Sequence, residues 1–269
     1  MNYQLAGKRA LVSGSSSGIG RAIAIAFAAE GVSVVVHGRN AERAAAVVAG
    51  IEAQGGKAVA AIGDLSTDAG ARAVVEVASE AFGGVDILVN NAGNAQPMGD
   101  MLTISPDLWV QSYQENVLSA VRLVQALAPG MQERGWGRII QVASGTGSAP
   151  EANFGPYSSS KSAMIAFTVS LSKALTGSGV TVNTMSPGIT ATAAFERNLP
   201  VMARNLGWEE TDPAAMTARA ARELWPNPTG KIGSVDEQAA AVLFLASAQA
   251  SYVNGANLRV DGGISGFVN

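Results

Sequence analysis

"RALVSGSSSGIG", residues 9–20, decides the fold. Its first five residues read as a short buried strand, and the stretch that follows (18–30) as an Ala- and Ile-rich helix. Between them lies G-x-x-x-G-x-G, with glycines at Gly14, Gly18 and Gly20. A strand, a glycine turn and a helix start in this order present backbone N–H groups and the positive end of a helix to a phosphate. Gly14 permits the tight turn, Gly18 lets the backbone approach a pyrophosphate, and Gly20 lets the helix pack close to the sheet. Ser16 and Ser17 add hydroxyl donors, and Ile19 lies at the same helix start. The context predicts a dinucleotide site.

Outward from this unit the same rhythm continues. Strand candidates fall at 33–37, 57–62, 86–90, 138–143, 180–185 and 257–260, and helical stretches near 41–53, 68–82, 106–134, 157–176 and 236–247. Several of the strands are apolar on both faces, as parallel strands covered by helices are. The expectation is an α/β chain, a Rossmann-like doubly wound parallel sheet of about seven strands flanked by helices on both faces. No linker or repeat divides it, so residues 1–269 read as one domain. One stretch, about 193–230, carries Phe195, Met202, Trp208, Met216 and Trp225 and no clear strand. An excursion of this length between core elements is expected to act as a helical substrate lid. Its aromatic and methionine side chains, with Phe154, either line a partly apolar pocket or pack the lid against the core. Asn153, Gln96 and Glu151 are candidate polar contacts.

Composition removes other chemistries. The chain has no cysteine, which excludes disulfides, thiolate metal sites and a cysteine nucleophile. A single histidine, His37, cannot build an imidazole metal cluster, and no metal is expected; its expected place is a packed or half-exposed strand end. A net charge of -3 without blocks of like charge points away from nucleic acid. The N-terminal stretch does not read as a signal peptide, and no apolar run is long enough to span a bilayer. A cytoplasmic protein with no membrane partner is expected.

The end of the second strand reads "HGRN" (37–40), with Arg39 where an acidic residue would bind the ribose hydroxyls of NAD. A guanidinium there suits a 2′-phosphate, which favours NADP; the plainer reading is a solvated arginine at a helix start. Further along, "YSSSK" (157–161) sets Tyr157 and Lys161 four apart, on one helix face. Alone, such a pair is ordinarily surface.

Together with "GDL" (63–65), "NNAG" (90–93), "ENV" (115–117), "VAS" (142–144), "NTMSPGITAT" (183–192) and "VDGG" (260–263), in that order, these motifs resemble the short-chain dehydrogenase/reductase family over essentially the whole chain. The resemblance implies Asn116, Ser144, Tyr157 and Lys161 as the catalytic set, with Asn116 holding a water relay or pinning its helix. It implies Asp64 and Leu65 beside adenine, and Asn91, Ala92 and Gly93 at the adenosine ribose. Pro187, Gly188, Ile189 and Thr192 would reach the nicotinamide side, and Lys161 the nicotinamide ribose. A phenol with a pKa near ~10 would be brought toward the working range by the Lys161 ammonium and the oxidised nicotinamide ring. The expected function is NADP-dependent hydride transfer between a secondary alcohol and a ketone, with Tyr157 as acid/base. Alternatives are a 3-oxoacyl-carrier-protein reductase, which would want a basic rim that 133–138 and 171–179 supply only sparsely, and a non-catalytic cofactor-binding scaffold. The partner is a small-molecule substrate, and by resemblance a homotetramer or homodimer is expected.

Overall fold

The computed structural model describes residues 3–95 and 99–266. Seven strands form one sheet: β1 (Arg9–Val12), β2 (Ser33–Gly38), β3 (Lys57–Ile62), β4 (Ile87–Asn90), β5 (Gly137–Val142), β6 (Val180–Pro187) and, last in the chain, β9 (Asn257–Val260). Their order across the sheet is β3-β2-β1-β4-β5-β6-β9, and every neighbouring pair is parallel. The chain therefore builds outward from β1 to β3, then returns to lay β4 on the other side of β1. That reversal leaves a crevice at the carboxyl ends of β1 and β4, where ligands of such sheets bind.

The period-2 alternation of the strands decides the layers. Ala10, Val12, Val34, Val36, Ile87 and Val89 face one core, shared with α1 (Gly18–Ala29), α2 (Ala41–Glu52) and α9 (Val235–Ala246). Leu11, Val35, Leu88 and Ile139 face the other, against α3 (Asp68–Phe82) and α5 (Ser119–Glu133), with Phe167 and Leu171 of α6 (Gly155–Ala174) packed on it. Strands that are apolar on both faces are buried on both faces, as the sequence requires. At the end of the sheet away from the crevice, Arg9 and Asp86 pair at 2.6 Å, and Arg134 reaches the same carboxylate at 3.3 Å.

Two stretches differ from, or refine, the sequence expectation. The helix expected over 106–134 is present but not uniform: α4 (Pro106–Tyr113) runs through a five-residue π-turn (Gln114–Leu118) directly into α5. The apolar pattern runs on through this turn, so periodicity does not reveal it. What the turn accomplishes is local, since it holds the buried Asn116, whose amide donates to Ser112 Oγ and to Asn94 O. Residues 193–230 carry two helices, α7 (Ala193–Asn205) and α8 (Pro213–Glu223). Leu199, Ala203, Trp208, Met216 and Ala220 form a small core of their own there, with Phe195, Leu224 and Trp225 against it. Trp208 and Met216 thus pack the excursion itself. A two-stranded ribbon, β7 (Thr190–Ala191) with β8 (Gly233–Ser234), closes its base.

Candidate active site and cofactor groove

At the β1/β4 crevice the glycine turn is built as its spacing predicts. Gly14 has φ +65°, and a Cβ there would stand 2.9 Å from the Ala92 Cα. A Cβ on Gly20 would stand 2.5 Å from the Gly14 carbonyl oxygen and 2.4 Å from Asn91 Nδ2, so only glycine lets α1 come this close. Ser13 Oγ accepts from the backbone N–H groups of Asn91 and Ala92, both at 2.9 Å. The Asn91 amide donates to the carbonyl oxygens of Ser13 and Gly14. Asn91 therefore stitches the end of β4 to the turn with its side chain.

A groove of about 600 Å³ runs along this seam. Gly14, Ser16, Ser17 and Ile19 line it on the turn side, Arg39 at the exit of β2, and Asp64 and Leu65 at the exit of β3. Asn91, Ala92, Gly93 and Thr192 complete the set of sequence candidates found there. Asp64 accepts from the Ser66 backbone at 3.0 Å and from the Ser66 hydroxyl at 2.8 Å, bonds that hold its carboxyl below the usual range. Sequence reasoning missed Asn40 and Arg43, which line the same groove. The signal was available: Asn40 caps α2 by accepting from Arg43 N–H at 2.8 Å, and Arg39 and Arg43 are four apart at that helix start. The residues fit a phosphorylated dinucleotide. They offer a cradle that a Cβ would fill, a helix N-terminus, and two exposed guanidiniums at one end.

Besides Gly20, Tyr157 and Lys161, four cofactor candidates do not line this groove. Gly18, with φ +56°, faces the Thr192 methyl, 3.6 Å from where its Cβ would stand. Pro187 ends β6, Gly188 packs on Asp261, and Ile189 lines a separate cavity of about 240 Å³ with Trp225 and Val260. Gln96 lies outside the described residues. Asn153 and Glu151 are exposed, and Phe154 packs on the Tyr157 ring at 6.2 Å.

The second constellation sits beside the groove. Ser144 follows β5 and caps a short turn, its Oγ accepting from Thr146 N–H at 3.2 Å and the Thr146 hydroxyl at 3.1 Å. Helix α6 is fastened to that turn, because the Ser162 hydroxyl donates to Gly147 O at 2.6 Å. The fastening sets Tyr157 of α6 beside the Ser144 side chain. One turn later Lys161 is buried; its Nζ donates to Val142 O at 2.9 Å and lies 5.7 Å from the centre of the Tyr157 ring. A Cβ on Gly93 would stand 2.5 Å from Asn116 Oδ1 and 3.2 Å from Lys161 Nζ, so Gly93 joins groove and constellation. Asn116 Oδ1 accepts from Asn94 N–H at 2.8 Å; with the reverse bond to Asn94 O, it pins that strand exit to the π-turn.

The electrostatics depart from the simple expectation. Tyr157 keeps some exposed surface, yet burial pushes its phenol up, and the neighbouring Ser144 hydroxyl only partly opposes this. Burial lowers the Lys161 ammonium to about 8. The phenol is thus a held proton, and the ammonium is close to losing one.

Comparison with known proteins agrees with this geometry. The family profile described as short chain dehydrogenase matches residues 8–200. An uncharacterized oxidoreductase of Bacillus subtilis, YvaG, is 36% identical, covering 98% of both chains. The 3-oxoacyl-acyl-carrier-protein reductase FabG of Vibrio cholerae serotype O1 is 35% identical, over 97% of this chain and 98% of that one. Among solved structures, L-sorbose reductase from Gluconobacter frateurii, complexed with NADPH and L-sorbose, superposes with a TM-score of 0.93 at 32% identity, covering 100% of each chain. The chain belongs to the short-chain dehydrogenase family of oxidoreductases.

Proposed function

We propose that this enzyme is an NADPH-dependent reductase that interconverts a ketone and a secondary alcohol, with Tyr157 as the proton-transferring group. The observation that carries the reading is the meeting of Ser144, Tyr157 and Lys161 beside a groove that ends in Arg39 and Arg43. NADPH, when bound, supplies the hydride. The Ser144 hydroxyl is placed to hold the substrate oxygen, where negative charge develops. Tyr157 gives that oxygen its proton; burial holds the phenol protonated, and the Lys161 ammonium behind it favours the phenolate left after transfer. Lys161 sets the field behind the phenol, and Asn116 fixes the Asn94 segment that forms the opposite wall. The α7–α8 pair, closed at its base by the β7–β8 ribbon, is the substrate lid.

The likeness to an L-sorbose reductase supports a polyhydroxy ketone as substrate. Of the sparse basic rim that the carrier-protein alternative would want, Arg134 is engaged by Asp86 and Val85 O and Arg138 is buried at the start of β5, away from the crevice, which leaves the exposed Lys173. NADPH consumption over a panel of ketones, free and carrier-linked, tests the reading. Turnover of polyhydroxy ketones is expected; turnover confined to the carrier-linked substrate would replace it.

Cofactor choice gives a second test. Arg39→Glu removes a donor to the 2′-phosphate and sets a like charge in its place. A charge-assisted hydrogen bond is worth about 1.5–3 kcal/mol, so kcat/KM for NADPH is expected to fall roughly 100-fold. The value for NADH should hold or rise. Equal losses with both cofactors would separate Arg39 from the phosphate.

A further inference from the structure

His37 is the chain's single histidine, it is 3% exposed, and the chemistry above gives it no task. It stands one residue before Gly38 at the exit of β2, directly beneath the glycine turn. Three hydrogen bonds tie the turn to this one residue. Ser15 N–H donates to the His37 carbonyl oxygen at 2.8 Å, and His37 N–H donates back to Ser15 Oγ at 2.9 Å. The third involves the imidazole: Gly14 N–H donates to Nδ1 at 2.9 Å. On the other side of the ring, Nε2 lies 3.0 Å from the Gly63 carbonyl oxygen, which can only accept. The network therefore assigns the neutral tautomer with its proton on Nε2. Burial, with Arg39 nearby, disfavours the charged ring; Asp64 and the Gly63 carbonyl oppose this more weakly. The other polar groups touching the ring, from the turn and the exit of β3, are uncharged.

The two backbone-level bonds to Ser15 would form with any residue at position 37. The bond to Gly14 is different, because it belongs to the side chain. Gly14 has positive φ and no Cβ; the peptide before it is held at its carbonyl by the Asn91 amide and at its N–H by the imidazole alone. The imidazole fixes the direction of its N–H, and with that the orientation of the following amides that face the groove. Through Gly63 the same ring ties the turn to the exit of β3, where Asp64 and Leu65 line the far wall. One side chain thus spans three strand exits that must hold one extended ligand.

We propose that His37 is a positioning residue for the cofactor: its neutral imidazole locks the glycine turn, through Gly14 N–H, in the conformation that receives the pyrophosphate. The inference rests on the dinucleotide reading of the groove. Preorganisation of this kind appears in binding and leaves the chemical step alone once the site is filled.

The test is NADPH affinity, measured by equilibrium fluorescence on the whole protein, for wild type, His37→Asn and His37→Leu, with kcat at saturating NADPH alongside. Asparagine places Oδ1 near the Nδ1 position and keeps the Gly14 bond; leucine fills the space and accepts nothing. The Leu variant is expected to bind NADPH about tenfold more weakly, the worth of one buried hydrogen bond, and the Asn variant within about threefold of wild type. Both should keep kcat. Equal affinity of the Leu variant and wild type, or a fall in kcat without a change in affinity, overturns the inference. Wild type that binds no NADPH overturns the cofactor reading itself, a distinct result. Should the Leu variant not fold, nitrogen NMR of the lone imidazole in wild type decides. A neutral ring with its proton on Nε2 at pH 7 supports the lock, and a charged ring or a proton on Nδ1 removes it.

Discussion

Tyr157→Phe is expected to lower kcat for ketone reduction by about 10³-fold while NADPH binds as before. The substitution removes one oxygen and leaves the ring, which packs against Phe154 at 6.2 Å and lies 5.7 Å from Lys161 Nζ. Nothing in the groove between Gly14 and Arg43 depends on that oxygen, so cofactor affinity has no reason to change. Ser144 retains its two bonds from Thr146, and the substrate oxygen still finds a hydroxyl. What is lost is the proton. The remaining donor, Ser144, is a far weaker acid, and a neutral ketone left without an acid must carry full alkoxide charge in the transition state. Stopped-flow kinetics at saturating NADPH, with binding measured separately, gives both quantities. A variant that turns over within tenfold of wild type would remove Tyr157 from the reaction.

Lys161→Met should separate stability from activity. Lys161 is buried, and burial alone lowers its pKa from 10.5 to about 8. At pH 7 the folded protein carries a charge that the unfolded chain would hold more easily. A shift of this size corresponds to roughly 3 kcal/mol of lost stability, and the Nζ bond to Val142 O returns about 1 kcal/mol. Methionine occupies similar space without the charge, so the variant should melt about 5 °C higher at pH 7. The sign of the pH dependence follows from the direction of the shift. Between about 8 and 10.5 the unfolded chain holds a proton that the folded protein has released, so wild type gains stability as pH rises through that window. The variant lacks this slope, and its advantage should shrink toward pH 10. Activity moves the other way, by about 10² or more, because the field behind the phenol is gone. A variant less stable than wild type at pH 7 would show that the ammonium is well accommodated where it lies.

The sheet was legible because short strand-like runs alternate with longer helical stretches and several of them are apolar on both faces, as helix-covered parallel strands are. Strand order was not legible from these runs, as each looks alike; the glycine turn alone marks β1 and the crevice beside it. Tyr157 and Lys161 could be paired from their spacing, since helix geometry sets i and i+4 on one face. Ser144 could not be joined to them by periodicity, because its approach depends on the Ser162–Gly147 bond that fastens α6 to a loop. The π-turn at Asn116 was hidden, since its residues continue the helical pattern on both sides. Trp208 and Met216 looked equally suited to a pocket or to packing; burial with Leu199 and Ala220 decides for packing. Arg43 escaped notice because exposed arginines are common and only the groove gives this one a direction. Residues 187–189 entered by resemblance alone; in the fold Gly188 packs on Asp261 and Ile189 lines the cavity beside Val260. His37 was unreadable for a plainer reason: its partners, Gly14 and Gly63, are 23 and 26 residues away in the chain.

One measurement tests the central claim most directly. Reduction of the fastest-turning ketone is run with NADPH deuterated at the transferring position of the nicotinamide, and the product is examined by mass spectrometry and NMR. Hydride transfer beside Tyr157 predicts one deuterium per product molecule, on the carbon that bears the new hydroxyl. Product without deuterium, or deuterated cofactor left unconsumed by every ketone offered, would contradict it.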